Sequence, residues 1–433
     1  MTDSGRPTLH RHLGLWALVF YGVGDILGAG IYALVGKVAG AAGSASWAAF
    51  AVALAVAGLT ALSYAELGGR DPRSAGESLF AQEAFGRPGL ALVVGWVVLC
   101  SGVLSLATVS VAFAGYMSGL VPSLPPHVTI VAVLSLLAAI NFRGMRESST
   151  TNIVATLVEL TGLLIVIVAG ALFIGRSPDV SVAETFELGQ SVGWRGIASG
   201  AALGFFAFIG FEDMVNVAEE VKDPGRNMPR AILIALFVSG IVYLLVVVVA
   251  TTVVAPETLA DAEAPLLAVV ERATDRVPGS LFSLIALFAV ANTGLLNFIM
   301  GSRLIYGMSR QGLLPEALGR VHPTRRTPHW AILAVFLVAL ALALSGTLTY
   351  LAGTTSLLLL LVFFTVHAAL LVIKRRNEPD TRTFCAPRFV PLLGALSCLA
   401  LMPFVPSGSL LTALVILALG GIVVALRTRR ESD

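Results

Sequence analysis

The sequence predicts an all-α integral membrane protein: about 12 transmembrane helices, five plus five in an inverted repeat with helices 1 and 6 broken, and two accessory helices behind them. Three observations predict it. Hydrophobic residues make up 57% of the 433 and charged residues only 12%, with mean hydropathy +0.88. A soluble domain of this size carries about twice that charged fraction. Apolar runs long enough to cross a bilayer core recur along the whole chain. Two of those runs are interrupted by glycine, near residue 29 and near residue 209.

The runs fall at 14–35, 46–67, 90–119, 127–141, 153–175, 196–218, 230–254, 279–308, 329–345, 349–373, 389–405 and 408–426. Span 1 follows a short basic tail, contains Asp25 and lacks a small-residue cleavage site, so it reads as a retained helix rather than a signal peptide. Spans 4, 9 and 11 are short for a full crossing, and only Ser345-Gly346-Thr347 divides span 9 from span 10. The longest loops are 176–195 and 255–278, the second with an amphipathic stretch at Pro265–Val270. With both termini on one side, that side collects 22 of the Lys and Arg residues, among them Arg6, Arg73, Arg146 and Arg382, against 5 on the other (Lys37, Arg176, Arg195, Arg272, Arg276). By the positive-inside rule both termini are cytoplasmic in a multi-pass protein of the cytoplasmic (inner) membrane.

The breaks suggest a function. Span 1 reads Gly24-Asp25-Ile26-Leu27-Gly28-Ala29-Gly30-Ile31-Tyr32, and span 6 reads Gly204-Phe205-Phe206-Ala207-Phe208-Ile209-Gly210-Phe211-Glu212-Asp213. Unwound backbone survives at membrane depth only where protein or a wet cavity covers it. Breaks that open two successive halves point to a substrate site where the halves meet. The halves run over 14–175 and 196–373, and five being odd, they insert upside down relative to each other. The accessory spans occupy 389–426, and 1–13 and 427–433 are cytoplasmic tails.

Net charge is +2, so no polyanion or nucleic-acid partner is implied. Cys100, Cys385 and Cys398 show neither disulfide nor metal spacing. No paired metal-ligand spacing, G-x-S-x-G elbow or phosphate loop argues for an enzyme, a metal or a cofactor. A nutrient receptor would need a soluble domain to carry its signal, and none is visible.

Several motifs resemble the amino acid–polyamine–organocation superfamily: Gly28-Ala29-Gly30-Ile31-Tyr32 in span 1, Ser63-Tyr64-Ala65-Glu66-Leu67-Gly68 closing span 2, and Phe205 through Asp213 with Ala218–Pro224 and Met228–Ile232 around span 6. Asn297–Arg303, Tyr306-Gly307-Met308 and Gln311–Pro315 resemble its eighth helix. The resemblance implies an inverted-repeat transporter fold and secondary transport of amino acids or related amines, often coupled to protons. The expected protein is a permease taking up neutral or cationic amino acids by alternating access; an amine exchanger or exporter is the competing reading.

The expected substrate contacts are Ile26, Gly28, Ala29 and Gly30 in span 1 and Phe205, Ala207, Phe208, Ile209 and Gly210 in span 6. Freed N–H groups at Gly28–Gly30 suit a carboxylate at the start of a half-helix. Freed carbonyls at Ala207–Ile209 suit an ammonium. Candidates for ion or proton coupling are Asp25, Glu159, Asn292 and Thr293. Each has a plainer reading. Asp25 fits a proton or ion site or a neutral acid bonded to a neighbouring helix, and Asn292 and Thr293 fit helix–helix hydrogen bonding. Glu212 and Asp213 fit capping of the second half-helix or contact with substrate. The resemblance implies that several proton-coupled members carry a span 5 lysine where this chain has Glu159, so the lysine mechanism does not transfer; Glu159 takes up a proton, binds a cation, pairs with Arg303 or is structural. Phe205 and Phe208 are candidate pocket walls. Gly196, Gly200 and Gly204 read as a packing ladder serving the monomer or a dimer alike. His367 reads as an interior hydrogen-bonded histidine, Arg303 as snorkelling, and Tyr116, Trp194 and Trp330 as interfacial anchors.

Overall fold

A computed structural model describes residue 11 and residues 13–432, apart from 71–75, 145–148, 187–192, 311–313 and 377–383. Arg6, Arg73, Arg146, Arg382, the Gln311-Gly312-Leu313 motif and nearly all of the expected 1–13 tail lie outside the described residues.

The chain is a helical bundle. In order the helices are α1 (Leu15–Leu27), α2 (Ala29–Ala42), α3 (Ser46–Arg70), α4 (Gly76–Phe85), α5 (Pro88–Leu120), α6 (Pro126–Arg143), α7 (Ser149–Ile174), α8 (Val182–Phe186) and α9 (Gly193–Gly204). There follow α10 (Pro224–Val253), α11 (Pro256–Asp261), α12 (Pro265–Ala273), α13 (Gly279–Arg310), α14 (His329–Ser345), α15 (Leu348–Arg376), α16 (Val390–Leu401) and α17 (Ser407–Ser432). Proline opens α5, α6, α10, α11 and α12, where its missing N–H would be unpaired in any case.

Nine helical runs among the described residues are long and apolar enough to cross a membrane. The first, Leu15–Arg70, is 56 residues long and joins α1, α2 and α3, and two shorter apolar helices lie at His329–Ser345 and Val390–Phe404. The expected twelve crossings require dividing the first run and counting both short helices. The outside of the bundle is apolar: Leu136, Leu157, Phe237, Leu337, Leu392 and Leu411 are all exposed. In lipid such faces need no cover.

Helices expected to correspond between the halves pack on one another: α3 lies along α10, and α5 along α13. Span 1 is two helices, not one, because the chain turns at Gly28. Span 6 departs further, since past α9 it winds as two 3₁₀ helices, Phe205–Phe208 and Phe211–Glu220, about an extended Ile209. The loop 255–278 folds into α11 and α12, with Leu266, Leu267, Val269 and Val270 buried. Gly200 behaves as a packing residue, since a Cβ there would meet the Cβ atoms of Ala42 and Ala49 at 2.9 and 3.0 Å. Trp194 and Trp330 are exposed as interfacial anchors require, but Tyr116 is fully buried and its hydroxyl donates to the Tyr32 carbonyl at 2.9 Å. That corrects the anchoring role expected of Tyr116: a span end can face the bundle as well as the headgroups.

Candidate functional site

The two breaks touch. A Cβ on Gly30 would lie 2.5 Å from the Ala207 Cα, and one on Gly210 would lie 2.8 Å from the Asp25 carbonyl carbon. Gly210 is also held at φ +131, where a side chain is strained. Glycine is therefore needed at both points for backbone to meet backbone.

Neighbouring helices satisfy the unwound backbone. The Ala29 N–H donates to Thr293 Oγ1 on α13 at 2.9 Å, and the Tyr243 hydroxyl on α10 donates to the Ile26 carbonyl. A Cβ on Gly28 would fall 2.0 Å from Thr293 Oγ1, so Gly28 admits the threonine that holds the break. In span 6 the Glu212 side chain turns back to accept from the Gly210 N–H at 2.8 Å. This is the capping role among the two readings of Glu212. Asp213 instead accepts from Asn216 Nδ2 at 3.3 Å and faces the cavity.

A small cavity of about 30 Å³ lies between the breaks. Asp25, Ile26, Ala29 and Gly30 line it from span 1, and Ala207, Ile209 and Gly210 from span 6, with Thr293 from α13. That volume holds about one water molecule. Through Asp25, Asp213 and Asn297 it adjoins a larger cavity of about 430 Å³. The larger cavity reaches toward α4, the start of α1 and the end of α13. Among the described residues its charged lining is Asp25, Glu77, Asp213, Glu220 and Arg303. Glu77 accepts from the Tyr64 hydroxyl at 2.8 Å, and burial raises its carboxyl above the usual range despite that bond.

The opposite face is closely packed. Leu259 of α11 presses on α2, its carbonyl oxygen 2.2 Å from where a Gly36 Cβ would sit, and Lys37 Nζ donates to the Ala260 carbonyl at 2.6 Å. Beneath them the Tyr32 ring meets Tyr116 and Phe282, and its hydroxyl donates to the Glu159 carbonyl at 2.8 Å.

Not every expected residue lines the small cavity. Phe205 packs on Phe363, and Phe208 packs on Phe50 and Tyr243, so both rings face the scaffold and Phe206 lines the cavity instead. The cause is helical phase: a 3₁₀ turn rotates each residue further than an α turn does. Glu159 is fully buried behind the break, its Oε1 accepting from Asn292 Nδ2 at 3.0 Å and its Oε2 without a partner among the described residues. Arg303 lines the larger cavity, so the expected alternative of a Glu159–Arg303 pair is not formed. His367 sits between Thr60 (3.2 Å) and Ser63 (3.0 Å) as an interior hydrogen-bonded histidine, away from both cavities. The sequence reading missed Ser105 and Asn297, which bond each other at 3.2 Å in the cavity wall. Asn297 follows Thr293 by one helical turn, and that i, i+4 polar stripe was the available signal.

Comparison with known proteins agrees with this architecture. A family model described as amino acid permease matches residues 13–425. The branched-chain amino acid permease BcaP of Bacillus subtilis is 28% identical over 99% of this chain and 95% of its own length. The methylthioribose transporter of the same organism is 28% identical over 99% and 96%. Cationic amino acid transporter 4 of Mus musculus is 31% identical over 89% of this chain and 63% of its own length.

Proposed function

This chain belongs to the amino acid permease family of the amino acid–polyamine–organocation superfamily, a family of multi-pass membrane transporters and not of enzymes, and we propose that it takes up neutral or cationic amino acids across the cytoplasmic membrane by proton-coupled alternating access. The observation that carries the reading is the meeting of two glycine breaks at a small cavity that adjoins a larger, acid-lined vestibule.

In the proposed mechanism the zwitterion bridges the breaks. Its ammonium meets carbonyls at Ala207, Phe208 and Ile209. Its carboxylate meets N–H groups at the start of α2, where the helix dipole is positive. Thr293 already accepts from Ala29, so its hydroxyl must rotate or the carboxylate must use the N–H groups just beyond. Binding enlarges the small cavity by parting the Gly30–Ala207 contact. Asp213, which lines both cavities, supports neutral or cationic amino acids over anionic ones. Glu159 with Asn292 is the proposed proton site, its bare oxygen the place where a proton would sit. The halves 14–175 and 196–373 form the inverted repeat, the termini are cytoplasmic, and the vestibule is the inward exit.

Counterflow in proteoliposomes tests the reading: radiolabelled amino acids of every charge class, with and without an inward proton gradient. Uptake of a neutral or cationic class stimulated by the gradient is expected. Gradient-independent counterflow would replace symport by exchange. No uptake of any amino acid by folded protein would overturn the assignment.

A further inference from the structure

On the lipid-facing surface, away from both cavities, α6 and α14 leave a groove of about 400 Å³ between them. Its walls are small on one side, Ser135, Ala138 and Ala139, and apolar on the other, Ile332, Leu333 and Phe336. It ends at Phe142 and His329, on the face of the bundle from which α1 starts.

That end is basic and firmly built. Arg143 follows Phe142 directly and is exposed. The loop before α14 folds onto it: Thr327 Oγ1 donates to the Phe142 carbonyl at 3.0 Å, and the Arg325 carbonyl lies 3.7 Å from where a Gly144 Cβ would be. His322 bonds across the turn to Thr327 at 2.9 Å, and Arg326 N–H returns to the His322 carbonyl at 2.9 Å. The His322 ring meets Phe142 at 5.2 Å and His329 at 5.7 Å. The backbone of Arg325 and Arg326 is thus held at the end of α6 that carries Arg143, and all three arginines are exposed. The nearest acids along the chain are Glu147 and Glu316, and among the described residues no ion pair reaches Arg143, Arg325 or Arg326. The first turn of α14 adds its unpaired N–H groups at the same end. His329 Nδ1 is buried and finds no hydrogen-bond partner among the described residues.

An apolar groove that opens to hydrocarbon and ends beside three exposed arginines, without ion pairs among the described residues, has the shape of one class of ligand. We propose that the α6–α14 groove binds an anionic phospholipid of the leaflet in which α1 begins, one acyl chain lying between the helices and the phosphate facing Arg143, Arg325 and Arg326. Charge complementarity selects the occupant: a zwitterionic lipid or a sterol fills the groove equally well but leaves the three guanidiniums unmatched.

The test uses the full chain in detergent, titrated with dioleoyl phosphatidylglycerol or dioleoyl phosphatidylcholine and read by native mass spectrometry. Phosphatidylglycerol should bind at least about tenfold more tightly, as expected where several arginines meet an anionic headgroup. R143Q/R325Q/R326Q should bring it down to the phosphatidylcholine level. A139F, which fills the groove from a lipid-exposed position and leaves every charge in place, should weaken phosphatidylglycerol independently of the arginines. Equal affinity for the two lipids would overturn the proposal, as would phosphatidylglycerol binding unchanged in both variants. Displacement of the lipid by inorganic phosphate would also overturn it, reducing the feature to an ion site.

Discussion

At the scale of single residues, the break glycines are contact points between backbones as much as openings for a ligand. Gly210→Ala adds a Cβ 2.8 Å from the Asp25 carbonyl carbon at φ +131. The strain of that conformation alone is about 1–3 kcal/mol, and uptake should fall by at least about tenfold while membrane insertion persists. Wild-type uptake would remove Gly210 from the mechanism. Glu159→Gln keeps the bond to Asn292 but cannot take up a proton at Oε2. The pH dependence of uptake should flatten, and an unchanged profile would make Glu159 structural. Glu77 gives a stability prediction. Burial favours its neutral form in the folded state, so its ionisation costs stability once pH rises above the unfolded carboxyl pKa, and the cost grows up to the raised folded value. Glu77→Gln should therefore gain thermal stability relative to wild type as pH rises from about 4 to 8. A difference independent of pH would contradict it.

At the scale of elements, hydropathy made most helices legible, and the glycine spacing marked where two of them break. What hydropathy does not carry is phase. Phe205, Phe206 and Phe208 are equally apolar, and only the 3₁₀ winding after Gly204 turns Phe206 to the cavity and its neighbours to the scaffold. Glu212 and Asp213 are likewise adjacent acids, and only the turn at Gly210 separates the cap from the cavity group. Tyr116 sits near a span end, and sequence alone gives it no reason to face inward. The breaks depend on their neighbours. Thr293→Val removes the acceptor for the Ala29 N–H and should cost about 1–3 kcal/mol, read as a lower Tm. Thr293→Ser should retain wild-type stability, and equal loss in both variants would show that the hydrogen bond is not the cause. Beyond the membrane core, Leu13 bridges to Glu220 and Lys222 through backbone hydrogen bonds of 3.0 and 2.9 Å. The start of span 1 and the end of span 6 are thereby tied together, as a pair that moves as one body requires.

At the scale of the whole molecule, the asymmetry of access is the property that matters. Tyr32, Tyr116 and Phe282, with α11 pressed on α2, close one face. On the other face Asp25, Asp213 and Asn297 join the small cavity to the vestibule. Neither the seal nor the vestibule was legible from sequence, because each gathers residues from helices far apart in the chain. The bias of 22 basic residues to 5 was legible, and it supports the proposal that the vestibule opens to the cytoplasm.

The measurement closest to the central claim is substrate protection at the junction of the two cavities. Asn297→Cys, in a chain whose Cys100, Cys385 and Cys398 are replaced, would be labelled with a membrane-impermeant maleimide from either side of oriented vesicles. Labelling is expected from the side of the termini, slowed by the amino acid that supports counterflow and unaffected by one that does not. Labelling unchanged by saturating substrate, in protein that still transports, would place the binding site away from the two breaks and contradict the account.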